Sequence, residues 1–167
     1  MITTFKEKTM TLEFTQAPSG KQVIPTFNLE IKAYKTFYSR EGGGYHFNLY
    51  DGKKKIAFVH DDGNGGSVDV DTFGDKQMLM DLMAYVDSLP PYKFMDQYHN
   101  HCFDTYFSEL ISQHQFNKAL KKHKAIGTCY RIKSDDEYSF HAINTKDMNV
   151  VTKMLDEKFG ANNYTII

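Results

Sequence analysis

Apolar and polar positions alternate over residues 27–38 (FNLEIKAYKTFY), the period of a strand buried on one face. Read as an unbroken strand, it sets Phe27, Leu29, Ile31 and Ala33 on one face. Asn28, Glu30, Lys32 and Tyr34 fall on the other, continued by Thr36 and Tyr38. Two further strands are expected near 45–50 and 55–60, joined at Asp51-Gly52, a favourable hairpin pair. A last strand is expected near 67–71. Breaks at Gly42-Gly43-Gly44, Asp51-Gly52 and Gly63-Asn64-Gly65-Gly66 punctuate runs rich in aromatic and β-branched residues, as in a small antiparallel meander. Upstream, residues 9–15 alternate as a strand, and Ala17-Pro18-Ser19-Gly20 signals a turn. Gln22 to Thr26 then returns as a second strand with Pro25 at an edge.

The period then changes. Over 75–89, Met78, Leu79, Leu82, Met83 and Val86 form one helical stripe, and Pro90-Pro91 ends it. A second helical region is expected over 97–124, with Cys102, Phe103, Tyr106, Phe107, Leu110 and Ile111 at helical spacing. Its tail carries Lys118, Lys121, Lys122 and Lys124, positive charge at the negative end of the helix dipole. After Gly127, strands are expected at 128–133 and 137–143 around the turn Ser134-Asp135-Asp136. A third helix is expected over 145–159, capped by Asn144, with Met148, Val151, Leu155 and Phe159 inward and Gly160 at its end. Tyr164 to Ile167 closes the sheet.

Strands followed by helices predict an α+β fold: an N-terminal antiparallel β-meander packed by helices, then a C-terminal β-β-α-β unit. At 167 residues the expectation is one domain, 1–167. Its possible halves are 1–95, a sheet plus the first helix, and 96–167, a long helix plus β-β-α-β.

The net charge of −1 argues against a protein that binds nucleic acid by bulk electrostatics. The charge is uneven: +4 over residues 1–60, −8 over 61–109 and +3 over 110–167. Two cysteines, Cys102 and Cys129, suit neither a disulfide framework nor a paired metal motif. No apolar run reaches the roughly 18 residues that span a bilayer, and MITTFKEKTM lacks a signal-type apolar stretch. A reduced, cytoplasmic setting is expected.

Four patterns bear on chemistry. The loop Gly63-Asn64-Gly65-Gly66 has the composition of an anion nest, with Lys53, Lys54 and Lys55 near in sequence. It opens no helix, so no nucleotide fingerprint applies, and a purely conformational loop is expected. Asp61, Asp62, Asn64, Asp69 and Asp71 supply hard oxygens but fail calcium-motif spacing. His99, His101, Cys102 and Asp104 lack the second ligand pair of a zinc site, so no metal or other cofactor is expected. No nucleophile motif is present; Glu41, Asp61, Asp62 and Asp104 are the carboxylates available to pair as acid and base. Lastly, Tyr34, Tyr38 and Tyr45 interleave with Lys35 and Arg40 as aromatic and basic residues do where single-stranded nucleic acid is held, although aromatics on a sheet more often pack against helices in the core.

Taken together, Lys35-Thr36-Phe37, Glu41-Gly42-Gly43-Gly44-Tyr45, Leu49-Tyr50, Gly52-Lys53-Lys54, Ala57-Phe58-Val59 and Asp61-Asp62-Gly63-Asn64-Gly65-Gly66 resemble uncharacterised small accessory proteins of tailed bacteriophages and prophages. The stretch from Asp104 through Tyr130-Arg131-Ile132-Lys133 to Phe159-Gly160 is similar in style. The resemblance implies a phage accessory protein in the bacterial cytoplasm that binds a host or defence macromolecule without catalysis. The alternative is a nucleic-acid or nucleotide-binding module. It would use Tyr34, Lys35, Tyr38, Arg40, Tyr45, Lys53, Lys54, Lys55 and the loop Gly63, Asn64, Gly65, Gly66. A metal-dependent hydrolase is the third reading.

Overall fold

The computed structural model describes residues 24–167. The strand expected over 9–15 and the start of that over 22–26 lie outside them; residues 24–28 carry no strand. The fold is α+β, and the chain divides into two compact units, the first ending at Phe107 and the second running from Ser108 to Ile167.

The first unit holds the meander. Strands β1 (Leu29–Tyr38), β2 (Gly43–Asp51), β3 (Lys54–Asp61) and β4 (Asp69–Asp71) pair in that order, all antiparallel. Phe47, Leu49, Ala57 and Val59 are fully buried and Ile31 nearly so. Helix α1 (Lys76–Asp87) buries Leu82 and Val86, and Asp75 caps it by accepting from the Met78 N–H at 3.0 Å. Met83, expected on the inward stripe, is half exposed. Phe107, in the first turns of α2 (Phe103–Ile126), meets Phe47 edge-on at 5.7 Å between ring centroids. Each such buried ring contributes roughly 1.5–3 kcal/mol through apolar burial.

One residue changes the facing of β1. Lys32 pairs with Asn48 but Lys35 pairs with His46, so Ala33 and Tyr34 together oppose Phe47. Ala33 sits at φ 54, the left-handed region, as the extra residue of a bulge. An inserted residue reverses side-chain parity beyond it. Ala33 is therefore exposed, and Tyr34 returns to the face of Ile31, with its ring 6.3 Å from Tyr45. The assignment of Tyr34, Thr36 and Tyr38 to the face of Lys32 is corrected accordingly.

The helix expected from residue 97 begins at Phe103. Before it stands a hairpin, β5 (Tyr92–Phe94) and β6 (Gln97–His99). Its two-residue turn has Met95 at φ 47 and Asp96 at φ 62, the signs of a type I′ turn, without the glycine that normally announces one.

The second unit contains the rest of α2, β7 (Thr128–Ile132), β8 (His141–Ile143), α3 (Met148–Phe159) and β9 (Tyr164–Ile166). The antiparallel sheet is ordered β8-β7-β9, so the closing strand pairs with β7. Tyr130, Val151 and Leu155 form the core, with Ile132, Ile143 and Phe159 against it. A side chain at Gly127 would run into the Ile143 carbonyl, so the entry into β7 requires glycine. The cap of α3 is Asp147 rather than Asn144: its Oδ1 accepts from the N–H groups of Asn149 and Val150 at 3.0 and 3.4 Å. Met148, expected inward, is 46% exposed. Gly160 at φ 82 closes the helix. Among the described residues, no helix is long and apolar enough to cross a membrane.

Candidate binding surface on the N-terminal sheet

Alternation along β2 and β3 sends Phe47, Leu49, Ala57 and Val59 inward and His46, Phe58 and His60 outward. The bulge delivers Phe37 to the same outer face, opposite Gly44. Cβ at Gly44 would lie 2.5 Å from the Phe37 ring and 2.6 Å from the Asp61 carbonyl, so glycine lets that ring lie against the sheet. A row of rings results, crossing three strands. Phe37 and His46 are 6.0 Å apart, His46 and Phe58 5.6 Å, and Phe58 and His60 6.3 Å.

Lysines border the row. Lys35 is directly across from His46 and exposed. Lys32 lies over the Tyr50 ring at 4.5 Å and pairs with Glu30 at 3.1 Å. Lys55 lies over Phe73 at 4.7 Å. The β4 edge is acidic: Asp69 is 3.8 Å from His60, and Asp71 accepts from the Phe73 N–H at 2.7 Å.

The residues singled out from sequence divide among five places. Lys35 borders the ring row; Tyr38, 97% exposed, and Arg40 lie at the far end of β1. Tyr34 and Tyr45 are on the opposite face, where Tyr45 stacks on Phe47 at 6.1 Å. Burial, then the charges of Asp61 and Asp104, push the Tyr45 phenol up to about 12. Lys53, Lys54 and Lys55 occupy the β2–β3 turn end, and Gly63 to Gly66 follow the other end of β3. Six residue steps along β3 separate Lys55 from Asp61, roughly 20 Å, so the lysines and the glycine loop do not converge.

The glycine loop is held by its own carboxylates. Asp61 accepts from the Gly63 N–H at 2.8 Å, and Asp62 accepts from the Asn64 N–H at 2.9 Å and its side-chain amide at 3.0 Å. These bonds from Asn64 hold the Asp62 carboxyl below its ordinary value. Carboxylate oxygens thus stand where a nest would place a phosphate. Ser39 Oγ ties the loop to the β1–β2 turn: its one proton is within reach of the Gly42 and Gly63 carbonyls, at 2.9 and 3.0 Å.

Of the four carboxylates available for acid–base chemistry, Asp61 and Asp104 both act on Tyr45. Each is committed to a backbone N–H, Asp104 to that of Val68 at 2.8 Å. His99 and His101 pack their rings on Tyr92, at 5.7 and 5.0 Å. Cys102 lies instead beside Asp104 and Thr105. Among the described residues, no three His, Cys, Asp or Glu side chains gather as a metal-ion site.

His46, Phe58 and His60 were not singled out from the sequence. The available signal was alternation: each lies one position from a residue of the inward face.

No protein-family model matches the chain, and no curated protein or solved structure matches it.

Proposed function

We propose that the protein is a non-catalytic binding protein whose working surface is the outer face of the N-terminal sheet. The observation that carries this reading is the row Phe37, His46, Phe58 and His60, laid across three strands. Rings buy affinity at little entropic cost when a rigid sheet already holds them. The phage-type resemblance makes the target a macromolecule of a bacterial host, a defence protein among the candidates, and the setting its cytoplasm.

The test compares the wild-type chain with a Phe37→Ala/His46→Ala variant as bait in bacterial lysate, with and without nuclease. The wild type is expected to retain a saturable partner that the variant loses while still unfolding cooperatively. Equal retention by both overturns the assignment of the surface.

A second surface favours a protein partner specifically. The β5–β6 hairpin exposes Phe94 by 56%, Met95 by 83% and Tyr98 by 75%, on a turn strained at two non-glycine residues. Its base is anchored through Tyr92, His101 and Tyr106, with centroids 5.0 and 6.4 Å apart in turn. A Phe94→Ala/Tyr98→Ala bait that still retains the partner removes this reading.

A further inference from the structure

We infer that the occupant of the ring-bearing face is single-stranded nucleic acid, a conclusion that rests on that face being the working surface. Three features of the face select this partner over a protein.

The first is side-chain type. The outward positions beside the rings are Lys32, Lys35, Asn48 and Tyr50 on β1 and β2 and Asp69 and Asp71 on β4, without Leu, Ile, Val or Met. Aliphatic residues of these strands are spent on the opposite face. A protein interface core uses aliphatic and Met side chains as well as rings. Planar rings alternating with amides and lysines instead match unstacked bases and the phosphates between them.

The second is ring geometry. Phe37, His46 and Phe58 come from three adjacent strands, with centroids 5.6–6.0 Å apart and planes inclined by 33° and 39°. Bases placed on such rings must be splayed from one another, which a single strand permits and a duplex does not.

The third is charge. Lys35 has no carboxylate partner among the described residues, whereas Glu30 is paired with Lys32 and Asp69 with His60. The cationic border lies on β1 and the anionic border on β4. Phosphates therefore run on the β1 side, and Asp69 and Asp71 limit affinity.

The experiment is fluorescence anisotropy of labelled oligo-dT and oligo-U against the full chain, with a duplex of mixed sequence as comparison. Single strands are expected to bind saturably and the duplex to bind at least tenfold more weakly. Phe37→Ala and His46→Ala are each expected to weaken binding about tenfold, within the range for loss of a stacking ring. Lys35→Ala is expected to lower the salt slope by about 0.7, one phosphate contact. Asp69→Asn is expected to tighten binding. Lys35 and Asp69 are exposed, so those variants test the surface without disturbing the fold.

Absence of saturable single-strand binding at low salt overturns the inference, as does binding unchanged in both ring variants. Capture from lysate separates this from the broader reading. A partner that survives nuclease and is lost in Phe37→Ala/His46→Ala is a protein on the same face, which leaves the surface assignment standing and refutes the nucleic-acid occupant. A partner retained by that variant refutes both.

Discussion

The outer face of the N-terminal sheet and the polar cluster of the second unit use the same residue types and spend them differently. In the second unit, the Arg131 guanidinium lies over Phe116 at 4.8 Å and its Nε donates to the Ser139 carbonyl at 3.0 Å. His141 Nε2 is 3.1 Å from Asp135, whose other oxygen accepts from the Ile132 N–H at 2.8 Å. Phe116 meets Phe140 and Tyr138 edge-on. Cation, imidazole and rings are thus satisfied within the unit. On the N-terminal sheet, His60 has Asp69 and Lys32 has Glu30 and the Tyr50 ring, but Phe37, His46 and Phe58 meet one another and Lys35 stands exposed. Residue type does not distinguish a binding surface from a structural cluster; the state of its hydrogen bonds and charges does.

The sharpest way to break the contrast is to test whether the outer rings carry stability. Phe47→Ala, on the inner face of the first sheet, is expected to cost about 3–5 kcal/mol in denaturant unfolding. Phe37→Ala, on the outer face, is expected to cost about 1 kcal/mol or less. Comparable losses would make the outer row a second core.

The loops beside the rings provide the next effect. Gly63 is at φ 74, and Cβ there would lie 2.8 Å from the Gly44 nitrogen and 2.9 Å from Ser39 Oγ. Gly65 is at φ 78 in open space. Gly65→Ala is expected to cost roughly 1–2 kcal/mol, the price of the left-handed conformation alone. Gly63→Ala should cost more, because the two loops must also separate. Equal midpoint shifts in urea would show that the tie between the loops contributes nothing.

Smaller again is the difference between the two cations. Arg131→Ala is expected to cost about 1–2 kcal/mol, since it removes a hydrogen bond from a charged donor and a ring contact. Lys35→Ala is expected to stay within about 0.5 kcal/mol. Thermal melts of the two variants check this; a larger loss for Lys35→Ala would mark it as structural.

The least effect at ordinary pH comes from one tyrosine in each unit. Tyr45 and Tyr138 are both pushed from the ordinary 10.0 up to about 12, first by burial and then by nearby carboxylates. A raised phenol value means that folding favours the neutral ring. The resulting stability is complete below about pH 10 and is lost as pH rises through about 12. Phenolate absorbance should show Tyr45 and Tyr138 among the late-titrating tyrosines, with Tyr45→Phe and Tyr138→Phe each removing one. Titration of both near 10 in the folded protein would contradict the environments described.

Much of the fold is legible in the chain because it rests on local rules. Period-two runs mark β2 and β3, the turn between them falls at Gly52-Lys53, one residue on from the expected Asp51-Gly52 pair, Pro90-Pro91 bounds α1, and Gly160 closes α3. These follow from backbone sterics and from the face each strand or helix buries. The hairpin at Tyr92–His99 escaped because its turn uses Met95 and Asp96 at positive φ, a conformation imposed by context rather than by residue preference. The cap of α3 escaped because Asn144 and Asp147 are both capping residues, and only the backbone path chooses between them.

The candidate surface depended most on tertiary structure. From sequence alone, Tyr34, Tyr38 and Tyr45 formed the natural ring set. Pairing with β2 across a bulge at Ala33 turns Tyr34 inward, where it joins Tyr45, and brings Phe37 out to His46 and Phe58. The amino-acid sequence by itself determined that aromatic strands, glycine turns and lysines occur here, because composition and period are local properties. Which rings share a face was decided only by register, since one unpaired residue reverses every side chain beyond it.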